Sequence, residues 1–331
     1  MRYIVIGAGA VGGTIGGRLH QAGYDVVLVA RGAHLTALRS SGLRLATPSG
    51  TDTLDVPAVG APGEIELRAD DVLLVSVKTQ DAAGVFADWA WRPVHGGSVA
   101  ADTLPVVCAQ NGVASERIAL RRFRRVYGVC VWLPATHLEP GVVQSNGTPL
   151  SGILHIGRYP SGTDTMAERI GADLTSSRLL APVTPEVMRW KYGKLLTNLG
   201  NAIEVLCGPM TDLGNDAREL SRRAYTEGEA VLEAAGIDRA TPAESAAVRG
   251  DQVRVEQVNG VARTGGSTWQ SMARGTGSIE ADFLNGEIAV LGREHGIPTP
   301  VNETLQRLAN QAARDRTPPG TVTPADILAI V

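Results

Sequence analysis

The chain has 331 residues, a formal charge of −3 and a sequence pI near 6.1, which suits two domains and gives no basic field for nucleic acid. No apolar run reaches the roughly 18 to 20 residues that cross a bilayer, and glycines break the apolar start Met1–Val11 too early for a signal peptide. Cys108, Cys130 and Cys207 read as reduced core thiols of a cytoplasmic protein, and the six histidines are too scattered for a metal site.

Arg2 to Ile6 reads as a short buried strand, followed by a glycine-rich turn and a small-residue helix to about Gln21. Tyr24 to Ala30 is a second buried strand, and strand–helix–strand implies parallel pairing. Two alternating segments between Leu43 and Val59, around Pro48-Ser49-Gly50, predict a hairpin inserted into that sheet. Asp71 to Val77, Leu104 to Ala109 and Val126 to Leu133 are further buried strands, and Thr136 to Gly157 is a second β excursion. Beyond about Pro182 the texture turns helical: Pro185 to Cys207, Ala217 to Ala235, Pro242 to Asn259, Ile279 to His295 and Asn302 to Ala313. The expected fold class is therefore α/β, with an N-terminal Rossmann-type parallel sheet over 1–183 and a C-terminal all-helical domain over 184–331.

Gly7-Ala8-Gly9-Ala10-Val11-Gly12 matches G-x-G-x-x-G directly after a strand and at the opening of a helix. Such glycines allow a tight turn, close approach of backbone to a pyrophosphate and helix-on-strand packing, with the helix N-terminus facing the phosphates. The second strand ends in Ala30-Arg31-Gly32, where an NAD-binding protein would carry an acidic residue for the ribose. Arg31 instead suits the 2′-phosphate of NADP(H), unless it is a plain surface arginine. Lys78 and Asn111 also follow strands, so with Gly7 and Arg31 they lie at the carboxyl edge where open α/β sheets bind ligands.

Basic residues are almost all arginine, and Lys78, Lys191 and Lys194 are the only lysines. A position that keeps lysine can require a compact ammonium able to give up a proton. On a helix from Pro185, Lys191, Lys194, Asn198 and Asn201 fall on one stripe, which is either a ligand-binding face or plain solvent-facing surface. Lys194 is one turn from Asn198 and Lys191 two, so Lys191 is expected to matter far less. Glu280 interrupts an apolar helix face, although Glu287 shares that face and the wheel does not choose between them. Ser267 and Thr268 could hold a substrate carboxylate or cap a helix.

Over nearly its whole length the chain resembles the ketopantoate reductase (2-dehydropantoate 2-reductase) family. The resemblance rests on Gly7 through Gly13, Arg31, Lys78, Gln110-Asn111-Gly112, Lys194 through Asn198, Ser267-Thr268 and Glu280 through Gly286. It implies Lys194 as catalytic acid with Glu280 beside it, Asn198 and Glu280 contacting substrate, and Lys78 and Asn111 lining the nicotinamide end of the cofactor. A small 2-oxo acid is the implied substrate, pantothenate biosynthesis the implied setting, and a homodimer a candidate assembly. The chain departs from the family at Ala202 and at Gly265, where asparagines are usual, and at Trp269, where methionine is. An intact cofactor half with an altered substrate groove leaves open the same fold acting on a different carbonyl compound, or a non-catalytic NADPH sensor.

Overall fold

The computed structural model describes residues 1–210, 213–262, 265–275 and 277–331 and divides into two compact units. The first comprises Met1–Lys191 and Pro242–Arg263, the second Tyr192–Thr241 and Thr264–Val331. The division after Lys191 falls inside the Val187–Asn198 helix rather than near residue 183, and 242–263 returns to the first unit instead of joining the second.

In the first unit seven strands form one sheet, in the order Ile153–Arg158, Val126–Trp132, Val106–Cys108, Asp71–Val75, Arg2–Ile6, Asp25–Val29, Ala58–Val59. Numbered along the chain this is 3-2-1-4-5-6 with a seventh strand outside the sixth, the doubly wound order of dinucleotide-binding sheets. Every pair is parallel except the last, where Ile153–Arg158 runs antiparallel to Val126–Trp132. Arg2–Ile6 and Asp71–Val75 are buried at every residue, which is why they read as continuous apolar runs.

The expected hairpin forms between Leu43–Thr47 and Gly50–Leu54, but it does not enter the main sheet. It joins Ala135–Thr136 and Val142–Ser145 in a separate four-stranded sheet. Glycines explain the layering. A Cβ at Gly16 would come within 2.6 Å of Leu28, whereas one at Gly13 would meet Val143 at 2.7 Å and one at Gly17 would meet Leu43 and Leu45 at 3.1 Å. The Ala10–Gln21 helix is thus pressed by the main sheet on one side and the small sheet on the other, closer than side chains would permit.

Helix holds only over Pro242–Arg249 of the expected Pro242–Asn259 stretch. After Gly250, whose φ is +43°, Val253–Val255 pairs antiparallel with Gly147–Pro149.

The second unit is built from helices among its described residues, including Asn201–Cys207, Asn215–Ala234, Ser267–Ala273, Asn285–His295 and Pro300–Asp315. Two helices expected to be continuous are interrupted. The one through Lys194 ends at Asn198 and a new one starts at Asn201, so Asn201 does not continue the Lys191–Lys194–Asn198 stripe. Ile279–His295 separates at Leu284 into a 3-10 turn, Glu280–Phe283, and the Asn285–His295 helix. Asn285 accounts for that break: its buried Nδ2 donates to Leu199 O (3.1 Å) and Asn302 Oδ1 (3.0 Å), bonds that anchor the new helix at its first residue.

Candidate active site

The glycine-rich loop leaves the central strand through Gly7, whose φ of +102° favours glycine. The amides of Gly7 and Ala8 both donate to Val29 O, at 3.0 and 3.1 Å, which binds the loop to the end of the neighbouring strand. A Cβ at Gly7 would sit 2.7 Å from Val77 N, and one at Gly12 would sit 2.2 Å from both Gly7 O and Ser76 Oγ. Packing dictates those two glycines. At Gly9 an added Cβ would meet nothing within 4 Å, so the middle glycine is not explained by any protein neighbour. Gly9 is also the N-cap of the Ala10–Gln21 helix, and no side chain caps that helix. An open face above amides with a positive dipole end is what a pyrophosphate requires, and the loop fits a dinucleotide.

His34, in the Gly32–Ser41 helix, bonds to this loop and was missed from sequence. Gly141 N–H donates to its Nδ1 at 2.8 Å, so the ring proton is on Nε2, which donates to Ala8 O at 2.8 Å. Burial pushes its pKa down and keeps the ring neutral, as both bonds require. Its position one helical turn beyond Arg31 was the available signal.

Arg31 caps the Gly32–Ser41 helix at the end of the second strand. It is largely exposed, and among the described residues its ion pair is a loose one of 3.9 Å to Asp81. Its guanidinium is therefore free to take a stronger anion. Lys78 is the residue before the Thr79–Ala90 helix, and Thr79 Oγ1 donates to Asn111 O at 3.2 Å. That bond brings the segments carrying Lys78 and Asn111 together, as their shared sheet edge predicts.

Lys191 is not a spectator on the Lys194 stripe. It lies in the first unit, 2% exposed, and pairs with the buried Glu116 at 2.5 Å. Glu116 was not singled out from sequence, because nothing local links it to a lysine so distant in the chain.

Within the second unit, Lys194 is half-buried near the end of its helix and Asn198 is buried. A Cβ at Gly228 would come within 2.5 Å of Leu196 and 3.1 Å of Leu199, so the Asn215–Ala234 helix backs closely onto the apolar face of this segment. Glu280 is buried at the start of its 3-10 turn, whereas Glu287 is half-buried on the separate helix. Ser267 and Thr268 are the first two residues of their helix; the cap is Gly266, without a side-chain bond, so neither hydroxyl is a capping group. Gly266 N–H instead donates to Glu204 Oε2 at 2.6 Å, and a Cβ there would lie 3.4 Å from Asn201 Oδ1. Asn201 thus reaches the serine–threonine segment from the second short helix, while Ala202 is buried. Glu204 was a further omission from sequence. Gly265 has φ +62°, and a Cβ there would be 2.6 Å from the Trp269 ring. The Trp269 indole occupies the space that a side chain at 265 would need.

Asn198 Nδ2 and Thr268 Oγ1 are buried and have no hydrogen-bond partner among the described residues. Buried polar groups ordinarily have a partner, so these two atoms are available to a ligand oxygen.

The doubly wound sheet and its glycine-rich loop mark a dinucleotide-binding unit, and the family that the chain matches makes it an oxidoreductase that interconverts C=O and CH–OH. Residues 3–161 match the family model described as ketopantoate reductase PanE/ApbA, and residues 186–313 match the model of its C-terminal part. A 2-dehydropantoate 2-reductase of Halobacterium salinarum is 30% identical over 95% of this chain and 100% of that protein. The PanE/ApbA family ketopantoate reductase structure from Ralstonia eutropha superposes with TM-score 0.77 at 26% identity, covering 96% of this chain and 99% of that one. A D-mandelate dehydrogenase structure with NADH and anilino(oxo)acetate shares the fold, with TM-score 0.78 at 21% identity over 95% and 99% of the two chains. The chain belongs to the ketopantoate reductase family.

Proposed function

We propose that the protein reduces a 2-oxo acid, or a related small carbonyl compound, to the 2-hydroxy product with NADPH as reductant. The observation that carries this reading is the pair of buried, unpartnered atoms, Asn198 Nδ2 and Thr268 Oγ1, in the unit that also holds Lys194 and Glu280. Each such group costs about 1–3 kcal/mol when left unmade, which a substrate oxygen would recover.

The backbone amides of Gly9 to Gly12 would hold the pyrophosphate, Arg31 the 2′-phosphate, and Lys78 and Asn111 the nicotinamide end. NADPH, when bound, supplies hydride from C4 of its ring to the carbonyl carbon. Lys194 gives its ammonium proton to the carbonyl oxygen, where negative charge develops only as reduction proceeds, and regains a proton from solvent afterwards. Asn198 donates to that oxygen, and Ser267 and Thr268 orient the carboxylate. Glu280 accepts from a substrate hydroxyl and holds the Lys194 ammonium in place, with Asn201 supporting the segment of the two hydroxyls.

Ketopantoate, and with it pantothenate biosynthesis, is the substrate and setting implied by the family. The missing amides at Ala202 and Gly265, with the Trp269 indole beside Gly265, favour a more apolar 2-oxo acid. A cytoplasmic location, supported by three buried free cysteines, and a homodimer complete the proposal. The test is NADPH consumption against a panel of 2-oxo acids, with Arg31→Ala as companion. Turnover is expected, and Arg31→Ala should raise the KM for NADPH while leaving NADH nearly unchanged. Cofactor binding without turnover of any substrate would make the protein a sensor. Equal losses with both cofactors would remove the 2′-phosphate assignment.

A further inference from the structure

The Lys191 ammonium donates to Gln110 O at 3.0 Å and Val129 O at 3.3 Å and forms an ion pair with Glu116 Oε1 at 2.5 Å. Lys191 is 2% exposed and Glu116 fully buried. Burying an ion pair is a poor route to stability, because desolvation cancels most of the attraction and apolar residues of similar volume commonly do as well. What the pair holds is more informative. Gln110 and Asn111 are consecutive, and their carbonyls are bound from two directions, Gln110 O by Lys191 and Asn111 O by the buried Thr79 hydroxyl at 3.2 Å. Gly112 then turns the chain at φ +74°. The backbone that presents Asn111, and through Thr79 the neighbouring Lys78, is therefore fixed at two successive peptide groups. A compact ammonium serves a carboxylate and two carbonyls at one buried point, where a larger planar guanidinium would need more room, and this suits a lysine in a chain otherwise rich in arginine.

We infer that Lys191 and Glu116 are a positioning pair that fixes the Gln110-Asn111 backbone for the nicotinamide half of the dinucleotide. The inference rests on the functional reading above only in assigning that edge to the nicotinamide. Neither residue is a catalytic group.

The experiment compares binding of NADPH and of adenosine 2′,5′-bisphosphate, which lacks the nicotinamide half, by calorimetry on the full chain. The variants are the apolar double variant Lys191→Met/Glu116→Leu and the milder Glu116→Gln, which keeps the ammonium but removes the charge that holds it, so that its bonds to the two carbonyls are weakened rather than lost. A folded double variant should bind NADPH about 10-fold more weakly, the equivalent of one lost contact, and adenosine 2′,5′-bisphosphate as the wild type does. Glu116→Gln should show the same split with smaller size, and it decides the matter alone if the double variant does not fold. Unchanged affinity for both ligands, or equal weakening of both, would overturn the inference in favour of a purely structural pair. Wild-type protein that binds NADPH but reduces no 2-oxo acid would defeat the functional reading and leave this split as a valid measurement.

Discussion

The three glycines of the loop differ in what surrounds them, and that difference predicts opposite outcomes for the same substitution. In Gly12→Ala the new methyl would stand 2.2 Å from Gly7 O and Ser76 Oγ, more than about 1 Å inside ordinary contact, and one of these is backbone that cannot swing away. Forcing a helix off a sheet by that amount costs about 2–3 kcal/mol, or about 5–10 °C in Tm for a unit of this size. In Gly9→Ala the methyl meets nothing within 4 Å, and φ is −73°, which any residue adopts. Only the poorer N-cap preference of alanine remains, at most about 1 kcal/mol, or about 2–4 °C. The same methyl would stand above the helix amides and hold a pyrophosphate away from them. Losing one charge-assisted bond weakens NADPH and NADH alike by about 10- to 100-fold. Thermal unfolding and calorimetry on the two variants, side by side, measure both quantities. Wild-type dinucleotide affinity in Gly9→Ala would refute the assignment of the loop as the phosphate cradle, and a wild-type Tm in Gly12→Ala would refute the packing argument.

Lys194→Ala should lower kcat by about 10²- to 10⁴-fold while dinucleotide affinity, measured by titration, is kept, and Lys194→Arg should recover little. Lys191→Ala is expected to fail differently, by leaving Glu116 buried and unpaired at a cost of about 3–5 kcal/mol in urea unfolding. Gly265→Asn alone should collide with Trp269, whereas Gly265→Asn/Trp269→Met should raise kcat/KM for ketopantoate by about 2- to 12-fold, one recovered hydrogen bond; a smaller gain in the double variant than in the single would refute the coupling. His155, stacked on Trp190 with centroids 3.8 Å apart and Nε2 without a partner among the described residues, has its pKa pushed down to about 4 by burial. The unfolded chain takes up that proton first as pH falls, so stability should decline from about pH 6.5 toward pH 4 by about 3 kcal/mol, and His155→Phe should flatten this limb in denaturant titrations.

Local chemistry wrote much of this protein into its sequence. The buried strands, the loop from Gly7 to Gly12 and the placement of Arg31, Lys78 and Asn111 follow from patterns of a few adjacent residues, and strand–helix–strand order carries its own parallel pairing. Contacts between distant segments were not legible in that way. Whether the Leu43–Leu54 hairpin enters the main sheet depends on Val142–Ser145, and whether Val253–Val255 is helix or strand depends on Gly147–Pro149. The helix through Lys194 ends at Asn198, and the segment of Glu280 breaks where Asn285 reaches Leu199. Lys191 and Lys194 share a helix and a pattern, and periodicity could only place them on one stripe. Tertiary structure assigned them opposite fates, because a buried ammonium must find its acceptors wherever the fold brings them, and Glu116 and the carbonyls of Gln110 and Val129 converge on Lys191 from segments that nothing in the local sequence connects.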